Sequence, residues 1–302
     1  MTANKAHSIH DRLLNRARER GEDYNFLLNR YAVERFLYRL SQSPYQGHFV
    51  LKGATLFAVW SDQPYRSTLD VDLAGFGDSD PGALTAIFRE IADGAVEDDG
   101  LIFRADEIRI TSIMDNSEYG GVRVQLPVRL GSANAGFQID IGFGNAITPA
   151  AEIIAYPVLL SGFPIPLIRA YSQYTSVAEK WEAMVSLGIG NSRMKDFSDV
   201  WTLSQEHVFD GDTLAAAIAA TFNHRGTALP IGPPIALTPE FSGERGKGRD
   251  WQSFLRRGNV SGITLSLDQI TVALERFLMP PTLALIAGTP FLLSWPPSGP
   301  WQ

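Results

Sequence analysis

The sequence predicts an α+β protein in two parts. Helical periodicity runs through residues 5–41, strand-type patterning dominates residues 101–144, and helical periodicity returns from Ser172 onward. At 302 residues the chain is long for a single core, so we expect a mixed domain over 1–165 and a mainly helical domain over 166–302.

The first helical stretch carries apolar residues at Leu13, Leu14 and Ala17, then Phe26, Leu27 and Tyr31, then Val33, Phe36, Leu37 and Leu40. Gly21 divides it into two helices, Asp23 caps the second, and Ser43-Pro44 stops it. The apolar run His48–Leu51 predicts a strand, and Ala54–Trp60 a short helix after Gly53. A loop over 61–67 leads into a strand bearing Asp70 and Asp72. Asp80 before Pro81 opens a helix to Ala92. Ile108–Ile113 is a strand. Val122, Val124, Leu126, Val128 and Leu130 alternate as a half-buried strand does. A turn over Gly131–Gly136 returns the chain as Phe137–Ile141, forming a hairpin. The proline-rich segment Ala155–Pro166 is the crossing to the second domain. Helices are expected at Ser176–Leu187, Lys195–Ser204, Gly211–Thr221 and Leu267–Leu278, with residues 225–250 as an exposed connection.

Bulk composition removes several chemistries. The chain has no cysteine, which excludes disulfides, zinc–thiolate sites and thiol nucleophiles. The charged N-terminus has no apolar core of a signal peptide, and the longest apolar stretch, Thr282–Trp295, is short for a membrane span and contains Gly288 and Pro290. These features predict a cytoplasmic protein with no membrane partner. The net charge of −7 argues against broad nucleic-acid binding but allows a local basic surface. The five histidines show no metal spacing, and there is no P-loop, G-x-G-x-x-G or Ser-His-Asp grouping.

Asp70-Val71-Asp72 is the motif with most chemical content. Alternation on a strand projects both carboxylates from one face, and paired oxygen donors suit a hard divalent cation. Solvated strand-end aspartates are the competing reading. Asp140 lies between Ile139 and Ile141, where a carboxylate is costly to bury unless paired or metal-bound. Asp70, Asp72 and Asp140 together are candidates to hold two Mg²⁺ ions. Gly53-Ala54-Thr55 between strand and helix suits close backbone approach to phosphate or a tight packing turn, with Lys52 beside it. Lys180 sits on an otherwise apolar helix and is a candidate to neutralise triphosphate charge. Asp196 and Asp199 share a helix face and would orient Lys180 or Arg193, or contact a nucleotide; Arg193 and Lys195 are basic candidates beside them. Capping and surface pairing is the alternative for that segment. Arg245, Lys247, Arg249, Arg256 and Arg257, interleaved with Trp251 and Phe254, suit a nucleic-acid backbone or a solvated linker.

Together these segments resemble the AbiEii/AbiGii toxin family of nucleotidyltransferases, which includes the MenT toxins. The resemblance rests on Asp11-Arg12-Leu13-Leu14, Tyr31–Arg35, Phe49–Ala54, Thr68–Asp72, Glu179-Lys180, Arg193–Asp199 and the closing Trp295-Pro296-Pro297 and Gly299-Pro300-Trp301. It implies a DNA polymerase β-like core with a helical C-terminal domain. It also implies Asp70 and Asp72 as the metal pair, with Lys180 and an aspartate of 196–199 completing the site. The implied reaction transfers a nucleotide from an NTP, with Mg²⁺, to RNA such as a tRNA 3′ end. The implied partner is a cognate antitoxin. Ala54 departs from the Gly-Ser or Gly-Gly of the wider superfamily, leaving backbone donors and Thr55 for the triphosphate. A sugar or antibiotic acceptor is the alternative within the same chemistry, and an inactive binding module the alternative outside it.

Overall fold

Strand alternation and two amphipathic helices build the first part of the chain around a mixed sheet. The structure, a computed structural model, describes residues 3–61, 70–113, 120–258 and 263–302. The expectations for a loop beyond Ser61 and for Thr68-Leu69 fall outside these residues. The described residues form two units, one within Met1–Asp62, Thr68–Gly144 and Glu152–Ala170, the other within Asn145–Ala151 and Tyr171–Gln302.

In the first unit, helix α1 (Ala3–Arg20) precedes α2 (Tyr24–Gln42), whose N-cap Asp23 accepts the Phe26 N–H at 3.0 Å. Then follow β1 (Phe49–Lys52), a 3₁₀ turn (Gly53–Leu56) continuing into one helical turn α3 (Phe57–Trp60), β2 (Val71–Gly75), α4 (Pro81–Asp93), β3 (Leu101–Phe103), β4 (Arg109–Ile113), β5 (Gly121–Leu130), β6 (Ala133–Phe143), β7 (Glu152–Ala155) and β8 (Leu167–Ala170). The sheet order is β3-β5-β6-β2-β1-β8-β7, with β4 also on β5. The pairs β2–β6 and β1–β8 are parallel and the rest antiparallel. Buried Leu51, Leu73, Ile139, Ile141, Val122 and Val124 line one face. Phe36 of α2 and Phe88 of α4 stack on each other and meet Phe137 and Phe49 of the sheet, so these helices cover that face.

Two expectations change here. The β5–β6 turn is only Gly131-Ser132, because Leu130 pairs with Ala133 and the ladder runs on through Asn134, Ala135 and Gly136. Those residues are weak strand formers alone; pairing with β5 overrides that preference. The crossing segment is flanked by two short strands, since β8 returns to pair with β1 and β7 pairs with β8. Four-residue strands beside prolines carry too little periodicity to be read.

The second unit contains α5 (Gln173–Leu187), α6 (Met194–Glu206), β9 (Phe209–Asp210), α7 (Gly211–Arg225), α8 (Pro239–Gly243), α9 (Lys247–Arg257), α10 (Leu267–Ala287) and β10 (Ser294–Trp295), which pairs with β9. Helix α10 packs on α6 and α7. It runs past Leu278 through Pro280 and Pro281, where the sequence pattern predicts a stop. Pro281 cannot bond the Phe277 carbonyl; the indole N–H of Trp301 donates to that oxygen instead, at 3.0 Å. Among the described residues this helix, rather than Thr282–Trp295, is the long apolar element. It is long and apolar enough by length and composition to cross a membrane, but it buries Ile270, Leu274, Phe277 and Leu278 in the unit's core. The stretch expected as an exposed connection contains α8 and the start of α9. Lys247 is buried and donates to the Asn191 carbonyl at 2.7 Å, while Trp251 is buried and donates to Leu265 O. Only Arg245, Arg249, Arg256 and Arg257 of that basic cluster are exposed.

Candidate active site

The polar face of the sheet carries a charged row. Asp72 on β2 lies opposite Lys52 on β1 and opposite Asp140 on β6, and Asp140 lies opposite Arg123 on β5. Asp72, Asp140 and Arg123 are each flanked along their strands by buried apolar neighbours, so period-two alternation turns them away from α2 and α4, and Lys52 ends β1 opposite Asp72. Arg123 grips Asp140 with two hydrogen bonds of 2.8 Å, Nε to Oδ1 and a terminal nitrogen to Oδ2. That bonding, with the further charges of Asp70 and Asp72, raises the guanidinium pKa above its usual value. The same charges place Asp70 within electrostatic reach of the row. Asp70 is exposed and directly precedes β2.

Gly53 adopts φ +73°, and a β-carbon on it would lie 2.0 Å from Oδ2 of Asp72. Only glycine leaves that space for the carboxylate. Thr55 is buried and its hydroxyl donates to the Asp70 carbonyl at 3.0 Å, so it fixes the entry to β2 rather than presenting a hydroxyl to phosphate. Ala54 is buried as well. The expected helix over 54–60 is a 3₁₀ turn plus a single α turn, too short to offer a helix N-terminus to an anion.

The second unit gathers another charged group. Lys180 on α5 donates to Asp196 Oδ1 at 2.8 Å and to Asp199 Oδ2 at 2.7 Å, both on α6. Arg193 Nε pairs with Asp196 Oδ2 at 2.6 Å. Both aspartates are fully buried. Burial opposes the Lys180 charge, but Asp196 and Asp199 outweigh it and raise the ammonium pKa. Burial likewise opposes the Asp196 charge, and Lys180 with Arg193 outweighs it, lowering that carboxyl. Asp196 also lies in the first turn of α6, where the helix dipole favours an anion. Lys195 lies on the exposed side of the same turn.

The structure thus assembles Lys52, Gly53, Asp72 and Asp140 in the first unit, and Lys180, Arg193, Asp196 and Asp199 in the second. Arg123 was not among the residues expected from sequence. The signal was present: a two-residue turn at Gly131-Ser132 sets a register that pairs Arg123 with Asp140, whereas the six-residue turn would have placed Pro127 there. The donors fit a hard cation. Asp70 and Asp72 supply oxygens at the edge of a rigid strand, with the gap at Gly53 accommodating one of them. Among the described residues, no three His, Asp or Glu side chains are arranged as a metal cage.

No curated protein matches the chain. Two solved structures are similar. JHP933 from Helicobacter pylori is 15% identical, with 86% of this chain and 94% of that chain covered at a TM-score of 0.48. An H. pylori protein provisionally described as a nucleotidyltransferase is 15% identical, with 86% and 92% covered at 0.47. The family model for "Nucleotidyl transferase AbiEii toxin, Type IV TA system" matches residues 35–270, a span that holds every charged residue of both groups. The chain therefore belongs to the AbiEii family of nucleotidyltransferase toxins from toxin–antitoxin systems.

Proposed function

We propose that this nucleotidyltransferase toxin acts in the cytoplasm, moving a nucleoside monophosphate from an NTP onto RNA, at the 3′ end of tRNA, with Mg²⁺. The observation that carries the chemistry is the strand row of Asp72 and Asp140 with Asp70 at its entry. The resemblance to MenT members is what supports the RNA acceptor.

In this reading Asp70 and Asp72, with Asp140 beside them, are the residues that would hold Mg²⁺, two ions in the active complex. Bound metal supplies charge stabilisation for the phosphoryl oxygens and the departing pyrophosphate. The acceptor hydroxyl oxygen bonds to the α-phosphorus as the bond to pyrophosphate breaks. The protein's own part is positioning and electrostatics. Gly53 makes room for the Asp72 carboxylate, and Thr55 fixes the Asp70 backbone. Lys180, held by two carboxylates in the second unit, is proposed to neutralise triphosphate charge. Lys52, Arg193 and Lys195 are proposed as further phosphate contacts.

The test offers the protein each α-labelled NTP in turn, with total RNA or with a small-metabolite extract, with and without a chelator. Label in the tRNA fraction that disappears with chelator is the expected result. Label only in metabolites would establish the small-molecule alternative, and chelator-insensitive transfer would end the metal assignment.

A further inference from the structure

Helix α9 carries positive charge that the fold does not use. The segment 244–257 holds five basic and two acidic residues in a chain of net charge −7. Arginines that build the structure are paired, as Arg39 is with Asp99, Arg104 with Glu107 and Arg225 with Glu182. Arg245, Arg249, Arg256 and Arg257 are exposed, and none of them has an ion-pair or hydrogen-bond partner among the described residues. Lys247 and Trp251 turn inward to the Asn191 and Leu265 carbonyls, and Trp251 packs on Phe254. The helical repeat sets Arg249, Gln252 and Arg256 on the opposite side, with half-buried Ser253 among them. That stripe holds no carboxylate; Asp250 lies on its flank. Its two arginines stand about 10 Å apart along the helix axis. Arg256 and Arg257 lie in the last turn and suit the helix dipole. Arg249 lies in the first turn, where the dipole disfavours a cation, so folding does not account for it.

We propose that the outward stripe of α9 holds the sugar–phosphate backbone of the RNA acceptor, with Arg249 and Arg256 as phosphate contacts and Arg245 and Arg257 beside them. This rests on the RNA reading above and deepens it. A guanidinium offers a planar fork of donors that matches phosphate, and each one that meets a polyanion releases bound counterions. Trp251 is committed to the core and Phe254 to Trp251, so the stripe offers no aromatic platform to bases. It reads charge rather than sequence. Helix α9 is also tied to the charged group of its own unit. Lys247 bonds the Asn191 carbonyl, and Asn191 Oδ1 accepts the Arg193 N–H at 2.8 Å. Arg193 pairs with Asp196, which holds Lys180. RNA seated on α9 is thus held by the same unit that is proposed to neutralise the triphosphate.

The experiment measures binding of fluorescein-labelled total tRNA to the full-length protein by anisotropy, without NTP, from about 50 to about 200 mM salt. Thermal unfolding checks that every variant keeps the wild-type Tm. Arg249→Gln/Arg256→Gln is expected to bind about tenfold more weakly and to lower the slope of log affinity against log salt by about 1.5. Arg249→Lys/Arg256→Lys keeps both charges and should keep most of the slope. Arg18→Gln/Arg20→Gln removes two exposed arginines of α1, the same change in net charge, and should bind within about twofold of wild type. In transfer assays the α9 Gln pair should raise the KM for tRNA about tenfold and leave kcat and the KM for NTP within about twofold of wild type. A merely structural role would move all three. The proposal is overturned if the α9 Gln pair binds tRNA as wild type does, or if the Arg18/Arg20 pair loses as much. It is overturned too if the α9 Gln pair loses binding to poly-glutamate but not to tRNA, which would assign the stripe to an acidic protein partner. Failure of the underlying reading looks different: wild type itself would then neither hold nor label tRNA, and the proposal would fall with it.

Discussion

Gly53 and Lys180 show how single residues hold the two candidate charged groups in place, one in each unit. Gly53 combines a left-handed backbone with a gap that a methyl group would close against Asp72. Gly53→Ala should cost about 1–2 kcal/mol in folding for the positive φ, and should lower nucleotidyl transfer at least about a hundredfold by displacing the carboxylate. Urea unfolding and initial rates measure the two effects separately; a stable variant with wild-type rates would contradict the assigned role. Lys180→Met removes the cation from two buried carboxylates and should destabilise by about 3–5 kcal/mol near neutral pH. The pH dependence has a definite sign. The depressed Asp196 pKa gives wild-type stability that is present above the ordinary carboxylate range and lost as pH falls through the folded value. The raised Lys180 pKa gives stability present below the ordinary lysine value of 10.5 and lost as pH rises through the folded one. The variant's stranded carboxylates shift the other way, so its deficit should shrink as pH is lowered toward 5 in denaturant titrations. Asp70-Val71-Asp72 and the Lys180 segment were legible in sequence because their signals are local. Arg123 was not, because its meaning depends on a partner seventeen positions away and on a turn length of two.

At the scale of elements, α10 and the tail illustrate what composition conceals. Two consecutive prolines read as a stop, yet the helix continues because the Trp301 indole N–H takes the place of the missing Pro281 N–H at the Phe277 carbonyl. Trp301→Phe keeps an aromatic ring beside Phe277 but leaves that carbonyl without the indole bond, and should cost about 1–3 kcal/mol in thermal or urea unfolding. No change would show that solvent satisfies the carbonyl. Helix α9 shows the opposite difficulty. Its Lys, Arg and Trp pattern resembles a solvated basic segment, but Lys247 and Trp251 anchor it in the core through bonds to Asn191 and Leu265. The amphipathic helix α4 was readable by its periodicity and its Asp80-Pro81 start. The four-residue strands β7 and β8 were not, since their existence depends on the neighbouring edge at β1.

Across the molecule, the α+β character and the helical C-terminal part follow from periodicity, and the family match spans residues 35–270. The overall charge of −7 gave little indication of substrate, because the charges that matter are paired within two small groups. The central claim is that the β2 aspartates carry nucleotidyl transfer. It is tested most directly by measuring transfer from α-labelled NTP to tRNA with Mg²⁺, for wild type and for Asp72→Ala of matched circular dichroism. The account predicts robust labelling by wild type and none above background by Asp72→Ala; equal labelling by both would contradict it.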